Sequence, residues 1–284
     1  MPGPRLVLTV DVEEWFHVCG HPTYDVPARW DSFPSRVVPA TGRILDLLAR
    51  ASSRATFFVL GWVARKHPAL VREIAAAGHE LGCHGDLHRR ANALSVDEFR
   101  ADLRSARRSI EDAAGVPVVS YRAPEWSFRT TASPHLPTLV EEGFRIDSSL
   151  LAVPPIGDVA NPVRPTLIHT RAGDLLEVPP LVGTFFGRPA MLGGGWTSRL
   201  SRESRVVAAV GEQLARGRSP VFYLHPWEVD DAHPPMDLGP VARLVHFGGR
   251  GRVVPRLTRL LSLHGSVPLA EAFPEGAFRE GVAA

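Results

Sequence analysis

The segment HELGCHGDLH, residues 79–88, holds three histidines, one cysteine and two acids within ten positions. It does not match the zinc-protease pattern H-E-x-x-H, because the residue four positions after His79 is Cys83. The glycines in and around this segment also disfavour the long helix that the protease pattern needs. His84 and His88 are left as a separate H-x-x-x-H pair. Two imidazoles at this spacing can bind one metal ion, and the site then needs a third ligand from elsewhere in the chain.

Further titratable residues follow the segments that are predicted to be strands. In a parallel α/β barrel the chemistry sits at the carboxyl ends of the strands, so residues at these positions meet at one rim. Five predicted strands end in this way, with Asp11, Glu13, Glu14, His84, His88, Arg122, Asp147 and His225. The sequence therefore predicts one site that combines carboxylates, histidines and an arginine.

Asp11 and Glu13 lie two residues apart on an extended segment, which places both side chains on the same face. One carboxylate can bind a metal ion while the other accepts a proton. Two histidines and one carboxylate with open positions are typical of a hydrolytic metal site, most often a Zn²⁺ site. Such an ion lowers the pKa of its bound water to about 7 and polarises a carbonyl. An arginine can orient the base, and a distant histidine can protonate the leaving group.

Strands and helices alternate along nearly the whole chain. The predicted strands cover residues 5–12, 54–61, 79–84, 116–124, 144–149, 174–181 and 219–227. The predicted helices cover residues 41–52, 67–78, 95–115, 133–143, 201–217 and 252–265. Thr41 is a candidate N-cap, and Ser95 with Glu98 has the pattern of a capping box. The alternation predicts parallel strands with helices outside, as a barrel or an open sheet, in one domain over residues 1–284.

The composition is ordinary for a soluble globular protein, with 44% hydrophobic and 22% charged residues among 284. The net charge of +2 comes without a dense basic run, which argues against a nucleic-acid partner. The N-terminal segment MPGPRLVLTVDVEEWF lacks the apolar length of a signal peptide, and no stretch has the length of a membrane helix. Two cysteines make no disulfide framework, so we expect a reduced, cytoplasmic protein. Cys83 is expected in the core, and Cys19 in a loop with a structural or incidental role.

Five motifs, in order across nearly the whole chain, resemble those of the NodB-homology polysaccharide deacetylases, which are carbohydrate esterase family four. They are LTVDVEEWF, HGDLH, YRAPEWSF, IDSSL and FYLHPWE. The segments YRAPEWSF, FRIDSSL, GGGW and FYLHPWEVD further resemble the subgroup found with bacterial exopolysaccharide gene clusters. The resemblance implies a distorted (β/α) barrel of seven parallel strands, with residues 230–284 as a family-specific extension.

The resemblance also implies a role for each matching residue. Asp11 takes the place of the catalytic base, and Arg122 that of the residue that orients this base. His225 takes the place of the general acid, with Asp147 tuning it electrostatically. Leu224 takes the place of the residue that lines the pocket for the acetyl methyl group, since the last motif has a leucine and a histidine two apart. The histidine pair of HGDLH takes the metal-ligand places.

The first motif departs from the usual family pattern, which has two adjacent aspartates. The second of these positions is Val12, and neighbouring residues of a strand face opposite ways. We therefore predict Glu13 as the third metal ligand, with Glu14 as the alternative. The departure resembles branches of the family whose substrates are not ordinary chitin-like polymers.

Four tryptophans accompany the motifs, and aromatic faces can stack on sugar rings. Trp15, Trp126 and Trp227 each follow a motif, and Trp196 ends the GGGW segment. We predict all four as substrate contacts, while core packing behind the rim explains the first three equally well. The GGGW segment is expected to let a loop approach the site closely.

These features predict a Zn²⁺-dependent N-deacetylase, with Co²⁺ or Ni²⁺ as other candidate metals. The substrate would be an N-acetylated carbohydrate, either a polysaccharide, a lipid-linked precursor or a small glycoside, and the products a free amine and acetate. Two alternatives stay open. One is an amidohydrolase for a small cyclic amide or ureide, which a closed pocket over the metal would favour. The other is a carbohydrate-binding protein without catalysis, for which Val12 is the only support.

Overall fold

A mostly parallel sheet frames the protein, and the computed structural model describes residues 3–274 of it. Within these residues the strands are β1 (Val7–Val12), β2 (Thr56–Val59), β3 (Glu80–Cys83), β4 (Ser120–Tyr121), β5 (Ile146–Asp147), β6 (Thr166–Thr170), β7 (Gly173–Glu177), β8 (Val182–Phe185), β9 (Arg188–Met191) and β10 (Val221–Leu224). The main sheet has the order β10-β1-β2-β3-β4-β5-β7-β6, and β8 with β9 forms a separate hairpin. Seven strands of the main sheet run parallel, and only β6 is antiparallel to its neighbour. The predicted distorted barrel with seven parallel strands is confirmed.

Helices follow most of the parallel strands, as the alternation of the sequence predicts. Among the described residues they are α1 (Val37–Arg50), α2 (Gly61–Lys66), α3 (Pro68–Ala76), α4 (Val96–Ala114), α5 (Leu136–Glu141), α6 (Gly195–Leu200), α7 (Glu203–Ala215), α8 (Pro240–Phe247), α9 (Val253–His264) and α10 (Leu269–Ala272). None of these helices has both the length and the apolar character that crossing a membrane requires. The predicted domain over residues 1–284, with its extension over 230–284, stays a prediction, and its last residues, 275–284, lie outside the described part.

The barrel is distorted because β10 and β6 end the sheet without pairing to each other. Main-chain hydrogen bonds outside the regular strands bridge part of this gap. Leu181 donates to the carbonyl of Val221 at 3.0 Å, and Tyr223 donates to the carbonyl of Gly193 at 2.6 Å. The segments that flank the β8–β9 hairpin therefore cover the open edge of β10, where unpaired backbone groups would otherwise need other partners.

The alternation of side chains along β1 separates the hydrophobic core from the interior of the barrel. Val10 and Val12 are fully buried and pack in the main hydrophobic cluster with the inner faces of the helices. Burial of each such side chain contributes about 1.5–3 kcal/mol. Thr9 and Asp11 point the other way, where both accept hydrogen bonds from Arg122. The apolar face of β1 thus fixes the direction in which Asp11 projects.

The two predicted N-caps had different outcomes. Helix α4 begins with the expected capping box, in which Ser95 Oγ accepts from the N–H of Glu98 at 3.2 Å and the Glu98 carboxylate accepts from the N–H of Ser95 at 2.8 Å. The prediction of Thr41 as an N-cap is wrong, because α1 begins at Val37 and Thr41 lies buried inside the helix.

Candidate active site

The side chains of Glu13, His84 and His88, here called the metal-ligand cluster, meet in the interior of the barrel. Their ligand atoms all lie within 4.8 Å of one another, and all three residues are buried. Glu13 Oε2 lies 2.7 Å from His88 Nε2 and 3.7 Å from His84 Nε2. The structure therefore brings together the three residues that the sequence analysis chose as metal ligands.

The cluster has the properties of a metal-ligand set. Glu13 Oε2 is buried and has no hydrogen-bond partner among the described residues, although two ring nitrogens lie close to it. Burial opposes ionisation of Glu13, but the charges of His88 and His225 lower its pKa well below the usual value. A carboxylate oxygen that faces two imidazole nitrogens suits a divalent ion, Zn²⁺ above all. The donor set therefore fits the metal that the sequence implies.

Neighbouring groups orient the members of the cluster. His84 directly follows β3, and its Nδ1–H donates a 2.8 Å hydrogen bond to the main-chain carbonyl of Arg122. The indole N–H of Trp227 donates a 3.0 Å hydrogen bond to Glu13 Oε1. Bonds of this kind fix the tautomer and direction of a ligand. They leave His84 Nε2 and Glu13 Oε2 as the atoms that face the shared space.

Glu14, the alternative third ligand, lies away from the cluster. Its carboxylate accepts hydrogen bonds from the main-chain N–H of Arg36, at 2.9 and 3.1 Å, and from the hydroxyl of Ser35. These two residues directly precede α1. The prediction of Glu14 as the alternative ligand is wrong, because Glu14 projects away from Glu13 and holds the start of a helix.

Asp11 and Arg122 form a buried ion pair beside the cluster. Arg122 Nη1 donates a 2.8 Å hydrogen bond to Asp11 Oδ1. The guanidinium is itself held by Ser148, whose carbonyl and hydroxyl accept from it at 3.0 and 2.8 Å, and it lies 4.4 Å from the ring centre of Phe58. Asp11 is therefore fixed through one oxygen, as expected for a base that Arg122 orients.

His225 points its Nε2 atom toward Asp11 and the metal-ligand cluster. Its Nε2 lies 3.8 Å from Asp11 Oδ2 and 3.7 Å from Glu13 Oε1. Its Nδ1–H donates a 2.7 Å hydrogen bond to Glu228, whose other oxygen accepts from Arg199. Burial alone would lower the pKa of His225, but the carboxylates of Glu13 and Glu228 raise it. Burial opposes ionisation of Glu228 as well, yet Arg199 and His225 lower its pKa to about 2.

Glu228 and Arg199 were not predicted from the sequence, and the role predicted for Asp147 belongs to Glu228. Glu228 lies three residues after His225, inside the motif FYLHPWE, and this spacing was the available signal. Asp147 instead accepts a hydrogen bond from the hydroxyl of Ser149 and interacts with the buried Glu177 carboxyl group. The prediction that Asp147 tunes His225 electrostatically is therefore corrected, because Glu228 is the carboxylate that the fold places against that histidine.

Asp147 and Glu177 form a buried pair of carboxyl groups with unusual titration. Burial raises the pKa of Asp147 to about 7 and raises that of Glu177 well above its usual value. A carboxyl group with a higher pKa in the folded than in the unfolded state binds its proton more tightly when folded. Its contribution to stability is therefore present at low pH and is lost as the pH rises toward about 7.

We expect Asp147→Asn to flatten the fall in the free energy of unfolding between about pH 4 and pH 7. The amide keeps a hydrogen-bonding group next to Glu177 but has no proton to lose in this range. Urea unfolding of the metal-free protein at stepped pH measures the slope. Asp112→Asn, an exposed position of α4, is the control and should keep the wild-type slope. An unchanged slope in Asp147→Asn would contradict the prediction.

Comparison with known families matches two parts of the chain. Residues 25–136 match the family model described as polysaccharide deacetylase, and residues 148–273 match a domain of unknown function. The chain contains a polysaccharide deacetylase domain. The predicted resemblance is thereby confirmed. The first matched region includes the histidine pair and the second includes His225, so the candidate site draws on both regions and on β1, which precedes them.

Individual relatives match this chain over different shares of their length. A chitooligosaccharide deacetylase of Rhizobium leguminosarum bv. trifolii is 38% identical over 73 residues, which cover 26% of this chain and 34% of that protein. A Mycobacterium smegmatis protein assigned to the polysaccharide deacetylases has a solved structure that covers 94% of this chain and 87% of its own, with 22% identity and a TM-score of 0.60. The solved structure of a mutant of a pseudoenzyme of carbohydrate esterase family four covers 96% of this chain and 68% of its own, with 16% identity and a TM-score of 0.52. At these identities the solved structures support the fold alone.

The wall of the cavity at the candidate site differs from the prediction at Leu224. Leu224 is 1% exposed and packs in the main hydrophobic cluster, outside the barrel interior. The prediction that it lines the acetyl pocket is wrong, because alternation along β10 turns Leu224 away from the face that carries His225. Tyr223 lines the cavity instead. The backbone of Gly194, in the GGGW segment, packs so closely on Tyr223 that a Cβ atom there would lie 2.4 Å from the Tyr223 carbonyl oxygen.

The cavity has a volume of about 880 Å³, and the four predicted tryptophans all line it. Trp227 stacks on His225 with 4.9 Å between ring centres, and Trp126 lies over the Arg122 guanidinium at 4.9 Å. These two rings therefore pack against His225 and Arg122 and also line the cavity. Trp15 is 4% exposed, while Trp196 is the least buried of the four.

Proposed function

We propose that the protein is a Zn²⁺-dependent N-deacetylase that hydrolyses the acetamide group of an N-acetylated amino sugar to a free amine and acetate. The observation that carries this proposal is the convergence of Asp11 and His225 on the metal-ligand cluster in one cavity. The acid His225 lies 3.8 Å from the base Asp11 and 3.7 Å from the metal donor Glu13. A base, an acid and a set of metal donors are the groups that amide hydrolysis requires.

Glu13, His84 and His88 would hold the metal. When bound, a divalent ion supplies a water of lowered pKa and polarises the carbonyl of the acetamide. The residues of the chain supply the proton transfers. Asp11 accepts the proton of the attacking water on Oδ2, because Oδ1 is held by Arg122. The Asp11–Arg122 pair therefore keeps the base pointed at the cluster.

His225 donates the proton that the departing amine needs. Glu228 anchors Nδ1, which leaves the Nε2–H to face the cavity. The raised pKa of His225, which burial opposes and the carboxylates of Glu13 and Glu228 produce, supports a protonated ring before the reaction begins. Transfer of this proton to the sugar nitrogen turns a poor leaving group into a neutral amine.

The substrate class follows from the cavity and from the named relatives. The cavity is large and lined by tryptophans, which suits a sugar rather than the small cyclic amide of the alternative amidohydrolase. The relatives include a chitooligosaccharide deacetylase and a peptidoglycan N-acetylglucosamine deacetylase of Bacillus cereus. We propose an acetamido sugar in an exopolysaccharide pathway, and a cytoplasmic location would make it a lipid-linked precursor or a small glycoside.

Release of acetate from acetamido sugars tests this function. We expect the zinc-loaded protein to release acetate and free amine in equal amounts from N-acetylglucosamine oligosaccharides or a lipid-linked N-acetylamino sugar. His225→Ala should bind the same substrates and release little acetate. Stoichiometric zinc with no acetate from soluble, polymeric or lipid-linked acetamido sugars would refute deacetylation and favour the carbohydrate-binding alternative.

A further inference from the structure

The thiol of Cys19 contacts His88 on the side of the ring that does not face the metal-ligand cluster. The sulfur lies 3.4 Å from His88 Nδ1, and the S–H donates a 3.0 Å hydrogen bond to the main-chain carbonyl of the same residue. The other ring nitrogen, Nε2, is the one that lies 2.7 Å from Glu13. One cysteine therefore contacts both the ring and the backbone of a ligand.

The donors and acceptors of this contact determine where the ring proton lies. A thiol has one proton, and the S–H of Cys19 donates it in the hydrogen bond to the carbonyl of His88. The lone pairs of the sulfur are then the partner of Nδ1, so Nδ1 must carry the proton of the neutral imidazole. In that tautomer the lone pair lies on Nε2, so this nitrogen can bind a metal ion. The contact with Cys19 thus selects the ligand form of His88.

His88 depends on such a partner more than His84 does. His84 directly follows β3, where the sheet directs it and the Arg122 carbonyl receives its Nδ1–H. His88 lies in a loop with φ of +51°, a left-handed conformation that residues other than glycine rarely adopt. Such a conformation persists only when surrounding contacts impose it. Arg90 donates to the Cys19 carbonyl at 3.3 Å and ties the Cys19 segment to the same loop.

We infer that Cys19 is a positioning residue for the metal ligand His88, a role that the sequence analysis did not give it. The inference rests on the proposed metal-dependent function. The buried Glu13 Oε2, which lacks a hydrogen-bond partner among the described residues, points independently to a ligand at the cluster. In metal sites the partner of a ligating histidine is usually a carboxylate, a carbonyl or water, and here a thiol takes that place.

Zinc affinity, measured by competition with a chromophoric chelator, tests the role of Cys19. We expect Cys19→Ala to weaken zinc binding by about 10- to 100-fold, since loss of such a partner has effects of this size. Cys19→Ser keeps one donor and one acceptor and should retain most of the affinity. The visible absorption spectrum of the Co²⁺-loaded protein should change in Cys19→Ala and remain close to wild type in Cys19→Ser.

Cys83→Ala is the matched control, because Cys83 is a buried thiol that packs in the hydrophobic core and does not line the cavity. It should lower thermal stability without changing the zinc affinity. Wild-type affinity in Cys19→Ala, or equal losses in Cys19→Ala and Cys19→Ser, would overturn the inference. A wild-type protein that binds no zinc would overturn the metal-dependent function itself, and the inference with it.

Discussion

Asp11→Asn is expected to lower the kcat for acetate release by about 10²- to 10⁴-fold while the protein keeps its zinc. The amide can still accept the hydrogen bond from Arg122, so the local packing is preserved. It cannot accept a proton from water at any relevant pH. A lower kcat with full zinc content would therefore separate the role of Asp11 as the base from the role of the metal ligands. Acetate release under saturating substrate, together with elemental analysis of the same samples, measures both quantities.

Asp230→Asn is the matched control for the loss of a buried, arginine-paired aspartate. Asp230 is 3% exposed and accepts two hydrogen bonds from Arg36, at 2.7 and 2.8 Å, yet it does not line the cavity. We expect its kcat to stay close to that of the wild type. If Asp11→Asn retained activity within a few-fold of the control, the proton acceptor would have to be another group.

The position of Asp11 and Glu13 could be predicted from the sequence because it depends on local alternation. β1 is apolar on one face, and a strand with one buried face has its register fixed by that face. The residues at odd positions then point into the barrel together with Asp11. The same reasoning explains why Val12, at the usual aspartate position, cannot reach the metal-ligand cluster.

The same alternation along β10 explains why Leu224 does not line the cavity. The family motif has a leucine two residues before the histidine, and here that position is Tyr223. Leu224 is adjacent to His225 and so projects to the opposite face. Residue type selects Leu224, whereas the spacing of the motif selects Tyr223.

Other parts of the site could not be predicted because they depend on loops that meet only after folding. Cys19 contacts a residue 69 positions away, and Arg199 reaches Glu228 from a segment that follows the β8–β9 hairpin. No periodicity connects such pairs. Short elements such as β6 and α8 could not be predicted for a related reason, since neither has a buried residue that marks a core-facing side.

Glu13→Ala is expected to reduce bound zinc from about one equivalent to the level of the His84→Ala/His88→Ala double variant, which serves as the metal-free reference. Glu13 supplies the only carboxylate of the metal-ligand cluster among the described residues. Its removal leaves two imidazoles, one of them in a strained loop, and a water in place of a charged ligand. Elemental mass spectrometry after dialysis measures the metal content, and acetate release should fall with it.

Glu14→Ala separates loss of the ligand from loss of a buried glutamate at the neighbouring position. Glu14 accepts hydrogen bonds from the groups that precede α1, so its loss should lower the free energy of unfolding by about 0.5–2 kcal/mol, as removal of a helix cap does. Its zinc content should remain at the wild-type level. Full zinc in Glu13→Ala, or lost zinc in Glu14→Ala, would assign the third ligand to another carboxylate. Because Asp11 is the other carboxylate next to the cluster, full zinc in Glu13→Ala would also require a different base.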